Sequence, residues 1–386
     1  MENYLVSKVT EYSLLLKWVK KELSILKAEK TEHVATIDNL EIIIQNLESQ
    51  FSNLNKISKI SGTLNESLVS RALSYMKNME YNLYILTQFY FPALYKENDN
   101  DYILRNILLE TATECGLFWI KDITVSLDRE YSIIPVQVEI PIIYAPPHQC
   151  NSIIGMSYFY HEMGHNVFQK FQEELSEGLF IDLNEYFNAI KSSISGLNAD
   201  QQNKLDEMVK YGKNYWNSQR LNELFCDIYA AFVSGPCYFY SSVDMVIKWS
   251  NSPFLLTQDV HPPWAARINA CYKTIQHFHS DDDIITKTKN LIDRYMNLQS
   301  KNIDFNFICS DVLIDRFVKT SIEFINTYLS TSPCIGSIDY DELSILPNSS
   351  ILKDVLNGGL GILLDDPSNY IKWEKSALIS LSTTFK

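Results

Sequence analysis

Residues 157–165 read Ser157-Tyr158-Phe159-Tyr160-His161-Glu162-Met163-Gly164-His165, an H-E-x-x-H pattern in a run with helical character from near Asn151 to beyond Phe168. Positions four apart share a helical face, so His161 and His165 stand one turn apart and both imidazoles can reach one ion. Glu162, beside the first of them, can hold and deprotonate a water at that ion. Two histidines leave a tetrahedral zinc in need of a third protein ligand. The extended form H-E-x-x-H-x-x-G-x-x-H does not supply it, because Phe168 and Phe171 stand where Gly and His are required.

The best supplier is Arg220-Leu221-Asn222-Glu223-Leu224-Phe225-Cys226-Asp227-Ile228. Glu223 and Asp227 are again four apart and share a face. One carboxylate can ligate the metal while the other accepts the N–H of a ligand imidazole and fixes its tautomer. Two carboxylates on an otherwise apolar helix (Leu224, Phe225, Ile228, Ala230, Ala231, Phe232) are costly to bury without a cation. Taken alone, the segment also reads as a solvated acidic face; beside H-E-x-x-H the metal reading is preferred.

H-E-x-G-H followed by E-x-x-x-D resembles the gluzincin zinc metallopeptidases. His261-Pro262-Pro263-Trp264-Ala265-Ala266-Arg267 is similar to the H-P-x-x-x-x-R element of their M48 family, which includes the CAAX prenyl endopeptidases and the HtpX peptidases. The resemblance covers roughly residues 123–278. It implies a zincin-like core with one zinc, held by His161, His165 and Glu223. It further implies Glu162 as general base, Asp227 as hydrogen-bond partner of a ligand histidine, and His261 and Arg267 near the site. Many members carry membrane spans or a secretion signal, and this sequence shows neither.

Smaller features carry open readings. Asp259-Val260-His261-Pro262-Pro263 also suits a helix start, so His261 either caps a helix or donates to an oxyanion. Arg267 reads as an ion-pair partner for buried carboxylates such as Asp227. Tyr158, Tyr160 and Tyr229 read as core, and Cys226 as a small buried hydrophobe. His148 and Cys150 read as loop residues, and His277, His279 and Asp281–Asp283 as a helix junction rather than a second metal site. His33 reads as solvated.

The chain of 386 residues is 46% hydrophobic and 21% charged, a folded composition long enough for a substantial core. A net charge of −14 argues against nucleic acid and against an anionic membrane surface as partners. No apolar run has bilayer-spanning length. Seven scattered cysteines without a C-x-x-C pair favour a reducing, cytoplasmic setting.

In chain order, residues 1–60 read as an amphipathic helical hairpin turning at Lys27–His33. Its apolar face is Leu5, Val9, Tyr12, Leu16, Val19, Leu23 and Leu26 against Val34, Ile37, Leu40, Ile44, Leu47, Phe51 and Leu54. Such a hairpin packs on the body of the protein or makes a homo-oligomer or partner contact. Ser61–Thr63 reads as a break. Ile123–Leu127 and Val136–Ile140 alternate like strands of a small mixed or antiparallel sheet, with Pro141 closing the second. Residues 61–280 form the expected catalytic domain, and 281–386 a helical C-terminal region with loops at Gly358-Gly359 and Asp365–Pro367. The expected fold class is therefore α+β, mostly helical. The expected activity is zinc-dependent hydrolysis of a protein or peptide substrate. The alternatives are a catalytically silent binding or regulatory protein of the same fold, and a metal-dependent hydrolase of a non-peptide amide.

Overall fold

In a computed structural model the chain is described over residues 2–60, 65–127, 132–134, 138–146, 152–250, 252–257, 259–278, 283–300, 303–334 and 352–384. The break expected at Ser61–Thr63, and His148, Cys150, His279, Asp281 and Asp282, lie outside them. The described residues are mostly helical with one small mixed sheet of three short strands, in keeping with an α+β class. The strands are β1 (Thr124–Ser126), β2 (Ser132–Ile134) and β3 (Ile142–Tyr144), in the order β1-β3-β2.

The sheet corrects the strand reading. Val138–Ile140 form a turn and bend; of the expected second strand, Val136 and Gln137 lie outside the described residues. The partner of β1 is β3, beyond Pro141, and the pairing is parallel, with Val125 opposite Ile143. Continuous burial of Ile142, Ile143 and Tyr144 replaces the alternation that was sought.

The chain divides into two compact units. The first comprises 1–109, 119–127 and 134–144. Its hairpin, α1 (Glu2–Glu29) and α2 (Val34–Ser58), buries Leu5, Tyr12, Leu16, Val19, Leu23 and Leu26 against Ile37, Leu40, Ile44, Leu47 and Leu54. Val34, by contrast, is exposed at the first position of its helix. The same core takes in Met76, Met79 and Leu83 of α3 (Glu66–Ile85) and Phe91 and Leu94 of α4 (Phe91–Lys96), so the hairpin is one side of a larger helical core. A π-turn over Leu86–Tyr90 joins α3 to α4, where Pro92 has no N–H to give the helical ladder, and α5 (Asp99–Glu114) follows in the chain.

His33 is buried, not solvated. Its Nδ1 lies 3.2 Å from Asp122 Oδ2 and its Nε2 2.8 Å from Glu97 Oε1. Asp122 also accepts from Thr36 Oγ1 (2.6 Å) and Arg105 Nε (2.8 Å), and Glu97 pairs with Lys30 at 3.2 Å. Both ring nitrogens face carboxylates, an arrangement that favours the protonated ring. Burial opposes that charge, but the bonds to Asp122 and Glu97 outweigh it and raise the His33 pKa. Sequence hides this, since the acidic partners are distant in the chain.

The second unit comprises 110–118, 128–133 and 145–386. A 3-10 turn (Ile154–Ser157) leads into α6 (Tyr158–Lys170), the motif helix. Helices α7 (Gln172–Ser193) and α8 (Ala199–Tyr215) follow, and then α9 (Ser218–Ser234), which carries the second motif. Asn217 caps α9, accepting from Arg220 N, and Gly235, at φ 69°, turns the chain into α10 (Pro236–Trp249). Helix α9 is buried almost throughout, with Leu221, Leu224, Phe225, Ile228 and Phe232 inside. It packs on α6, on α11 (Trp264–Gln276) and on α14 (Asp311–Tyr328). Helices α12 (Asp283–Asn297) and α13 (Ile303–Ile308) lie between α11 and α14 in the chain.

Gly164 explains how α6 and α9 come so close. A Cβ there would meet Cys226 Cα at 2.9 Å, a backbone atom that cannot step aside. Two C-terminal helices, α15 (Leu352–Asp365) and α16 (Pro367–Thr384), also belong to this unit. Gly358 and Gly359 sit inside α15 instead of forming a loop. Asn357 of α15 accepts from Cys237 N and donates to Ser234 O, bracing the α9–α10 turn. Glu374 of α16 accepts from Ile153 N at 2.8 Å, at the start of the turn that enters the motif helix.

Candidate metal centre

Helices α6 and α9 present His161, His165, Glu223 and Asp227 to one another across their close contact. Glu223 faces both imidazoles: Oε2 is 3.5 Å from His161 Nε2, and Oε1 is 3.5 Å from His165 Nε2. Donors bound tetrahedrally to one zinc at about 2.0–2.2 Å would stand roughly 3.3–3.5 Å apart. Each imidazole thus stands at that separation from a different oxygen of Glu223.

The far side of each imidazole is held by a polar partner. His161 Nδ1 lies 3.1 Å from Asp227 Oδ1, and His165 Nδ1 lies 3.1 Å from Asn222 Oδ1. An acceptor at Nδ1 places the ring proton there and turns the Nε2 lone pair toward Glu223. Asn222 was missed in the sequence, although it stands next to Glu223; an amide gives no motif signal by itself. Tyr238, also missed, comes from α10, outside either motif, and donates to Asp227 Oδ1 at 2.6 Å.

Cys226 is a competing donor. Its sulfur and one nitrogen from each of His161 and His165 lie within 4.8 Å of one another. However, Cys226 Sγ donates to Asn222 Oδ1 (3.3 Å), the same atom that receives His165 Nδ1. The thiol and the His165 ring thus share the Asn222 oxygen as acceptor. Burial, reinforced by Glu223 and Asp227, pushes its pKa well above the usual thiol value in the absence of a metal. Glu223 and Cys226 are thus both candidates for a third ligand beside the two histidines.

The charges support a cation. Arg267 makes a two-pronged pair with Asp227, Nε to Oδ2 at 2.6 Å and Nη2 to Oδ1 at 2.9 Å, while its plane stacks on Trp264. Its Nη2 is farther from Glu223, at 3.8 Å. Asp227 is therefore neutralised by Arg267, and Glu223 is left facing the imidazoles. Burial alone would lower the His161 pKa, but hydrogen bonds to Asp227 and Glu223 overcome it and raise it to about 10. A proton thus takes the place a cation would fill. Burial, with repulsion from His161, lowers His165 to about 4 and keeps it neutral.

Glu162 is 5% exposed, and Arg267, the cation nearest the cluster among the described residues, pairs with Asp227 and Glu223 instead. Burial raises its pKa to about 7, with His161 and Arg267 opposing and Glu223 adding. A backbone hydrogen bond to it comes from Ile133 of β2. The strand beside Glu162 is therefore β2.

His261 lies in the segment before α11, with its side chain 47% exposed. Its Nε2 is 3.5 Å from Glu223 Oε2 and its Nδ1 3.3 Å from Asp259 Oδ2. It does not cap α11, whose N-cap is Pro263 with no side-chain bond. Tyr160 and Tyr229 are fully buried, as read, whereas Tyr158 donates to Ser241 O at 2.8 Å.

Comparison of the chain with known protein families, with curated proteins and with solved structures finds no match. No helix among the described residues is long and apolar enough to cross a membrane.

Proposed function

We propose that the protein is a zinc-dependent metalloendopeptidase, with His161, His165 and Glu223 holding the ion and Glu162 acting as general base. The observation that carries this reading is the pairing of two kinds of carboxylate at one place. Glu223 faces both imidazoles at 3.5 Å, while Glu162, on the ligand helix itself, is buried with its pKa raised to about 7 by that burial. A site built only to hold a metal has no use for the second. Zinc bound there would supply a Lewis acid and a water of lowered pKa.

The chain's own residues divide the remaining work. Glu162 takes the proton of the attacking water and later returns it to the leaving amine, so the peptide C–N bond breaks with no net proton change. Asp227 and Asn222 fix the orientations of His161 and His165. Arg267 holds the charge of Asp227 in place, and His261, exposed at the rim, donates to the oxyanion that develops at the carbonyl. Strand β2, next to Glu162, offers an edge along which an extended peptide can lie.

Two other readings are separated by one experiment. A pool of diverse peptides and a pool of small N-acyl amides are incubated with the zinc-loaded protein, with and without chelator, and products are identified by mass spectrometry. Chelator-sensitive internal cuts in peptides support the proposal. Cuts confined to the small amides replace it with a non-peptide hydrolase. No cuts in either pool, with zinc bound, replace it with a silent binding module.

A further inference from the structure

Asp227 Oδ1 is a shared anchor for His161: besides the imidazole it accepts from Arg267 Nη2 and Tyr238 Oη. A second acceptor is present. Tyr238 Oη lies 3.1 Å from His161 Nδ1, as close as Asp227 Oδ1 does. The single proton of the Tyr238 hydroxyl is committed to Asp227 at 2.6 Å, so its lone pairs are free to receive the imidazole N–H. The tyrosine ring is stacked on His161 with planes 17° apart and centroids 6.3 Å apart. Tyr158 meets the Tyr238 ring edge-on and donates its own hydroxyl to Ser241 O, one helical turn along α10. Tyr238 is 1% exposed, so no water replaces its hydroxyl without rearrangement.

We infer that Tyr238 is a positioning residue for the metal centre: its hydroxyl and Asp227 share the Nδ1–H of His161, fixing the tautomer and rotamer that aim Nε2 at the ion. Arg267, Asp227, Tyr238 and His161 are then joined in one hydrogen-bond network. The inference rests on His161 being a metal ligand. It extends that reading to a residue outside both motifs.

The test is Tyr238→Phe in the full-length protein, which keeps the ring and its stacking and removes one oxygen. Zinc affinity is measured by competition with a chromophoric chelator, and the visible spectrum of the cobalt(II) form is recorded for both proteins. Partners of metal-ligating histidines typically govern affinity by 10–100-fold, and a loss in that range with a changed cobalt spectrum is expected. A purely structural tyrosine would lower the thermal midpoint of the metal-free protein and leave the cobalt spectrum unchanged; that result overturns the inference. If Tyr238→Phe does not fold, nitrogen-resolved NMR of the zinc-loaded wild type decides. A protonated Nδ1 on His161 with a slowly exchanging Tyr238 hydroxyl supports the network, and a freely exchanging hydroxyl overturns it. Wild-type protein that takes up neither zinc nor cobalt defeats the metal reading itself, whereas equal binding by wild type and variant defeats only the role of Tyr238.

Discussion

Gly164→Ala adds one methyl group at the narrowest point between the two motif helices. The new Cβ would stand 2.9 Å from Cys226 Cα, 3.1 Å from its Cβ and 3.2 Å from its Sγ. Ordinary contact begins near 3.4 Å, so the helices must part by about 0.5 Å on the first of these contacts. Two effects on stability oppose each other. Alanine is favoured over glycine within a helix by about 1 kcal/mol, and overpacking a close contact costs about 1–3 kcal/mol. The net change is a destabilisation of about 0–2 kcal/mol. Metal binding is the sharper readout, because His161 and His165 ride on α6 and Glu223 on α9. Metal–ligand distances tolerate only about 0.2 Å, so parting the helices should weaken zinc at least about tenfold. Chelator competition measures that loss, and thermal unfolding of the metal-free protein measures the stability term. A variant that is more stable than wild type and binds zinc equally well would refute the packing argument.

The remaining predictions concern ligand choice and protons. Glu223→Ala should abolish stoichiometric zinc while Cys226→Ser retains it, read by metal analysis after dialysis; the reverse pattern would make the cysteine the third ligand. With the His161 pKa raised to about 10, the metal-free ring carries a proton at pH 7, and zinc must displace it. Calorimetry in buffers of different ionisation heat should then show about one proton released per zinc, and a heat independent of buffer would contradict this. In the first unit, the raised pKa of His33 means its contribution is full below the unfolded value, near pH 6.5, and is lost as pH rises through the folded value. Asp122 and Glu97 are lowered by their bonds to His33 despite burial, so their contributions are present above ordinary carboxylate pKa values and fade as pH falls through the lowered ones. His33→Ala should therefore cost about 3–5 kcal/mol near neutral pH, with a smaller deficit at alkaline pH in denaturant titrations; a deficit that does not change with pH would show that packing, not charge, is what His33 supplies.

Local patterns told most of this in advance, and long-range partners did not. The hairpin was legible because Leu5 to Leu26 and Ile37 to Leu54 repeat at helical spacing. The four motif residues were legible because i and i+4 geometry places side chains without reference to the rest of the fold. The pairing of β1 with β3 was not, since three consecutive buried residues, Ile142 to Tyr144, carry no alternation to betray a strand. Nor was the burial of His33, whose partners Glu97 and Asp122 lie far along the chain and whose neighbours in sequence are polar. Tyr238 belonged to the same class: one tyrosine among 23, distinguished only by what faces its hydroxyl. The glycines of α15 misled because glycine pairs usually mark loops, whereas here Gly359 lies beneath the Trp373 ring, where a Cβ would come within 2.6 Å.

The central claim is tested most directly by comparing wild type and Glu162→Gln at equal zinc content on a single peptide identified as a substrate. The substitution keeps size and hydrogen bonding and removes the base. General-base groups contribute about 10²–10⁴-fold, so kcat should fall by that factor while zinc stays stoichiometric. Cleavage by Glu162→Gln at the wild-type rate, with zinc bound in both proteins, would contradict the account.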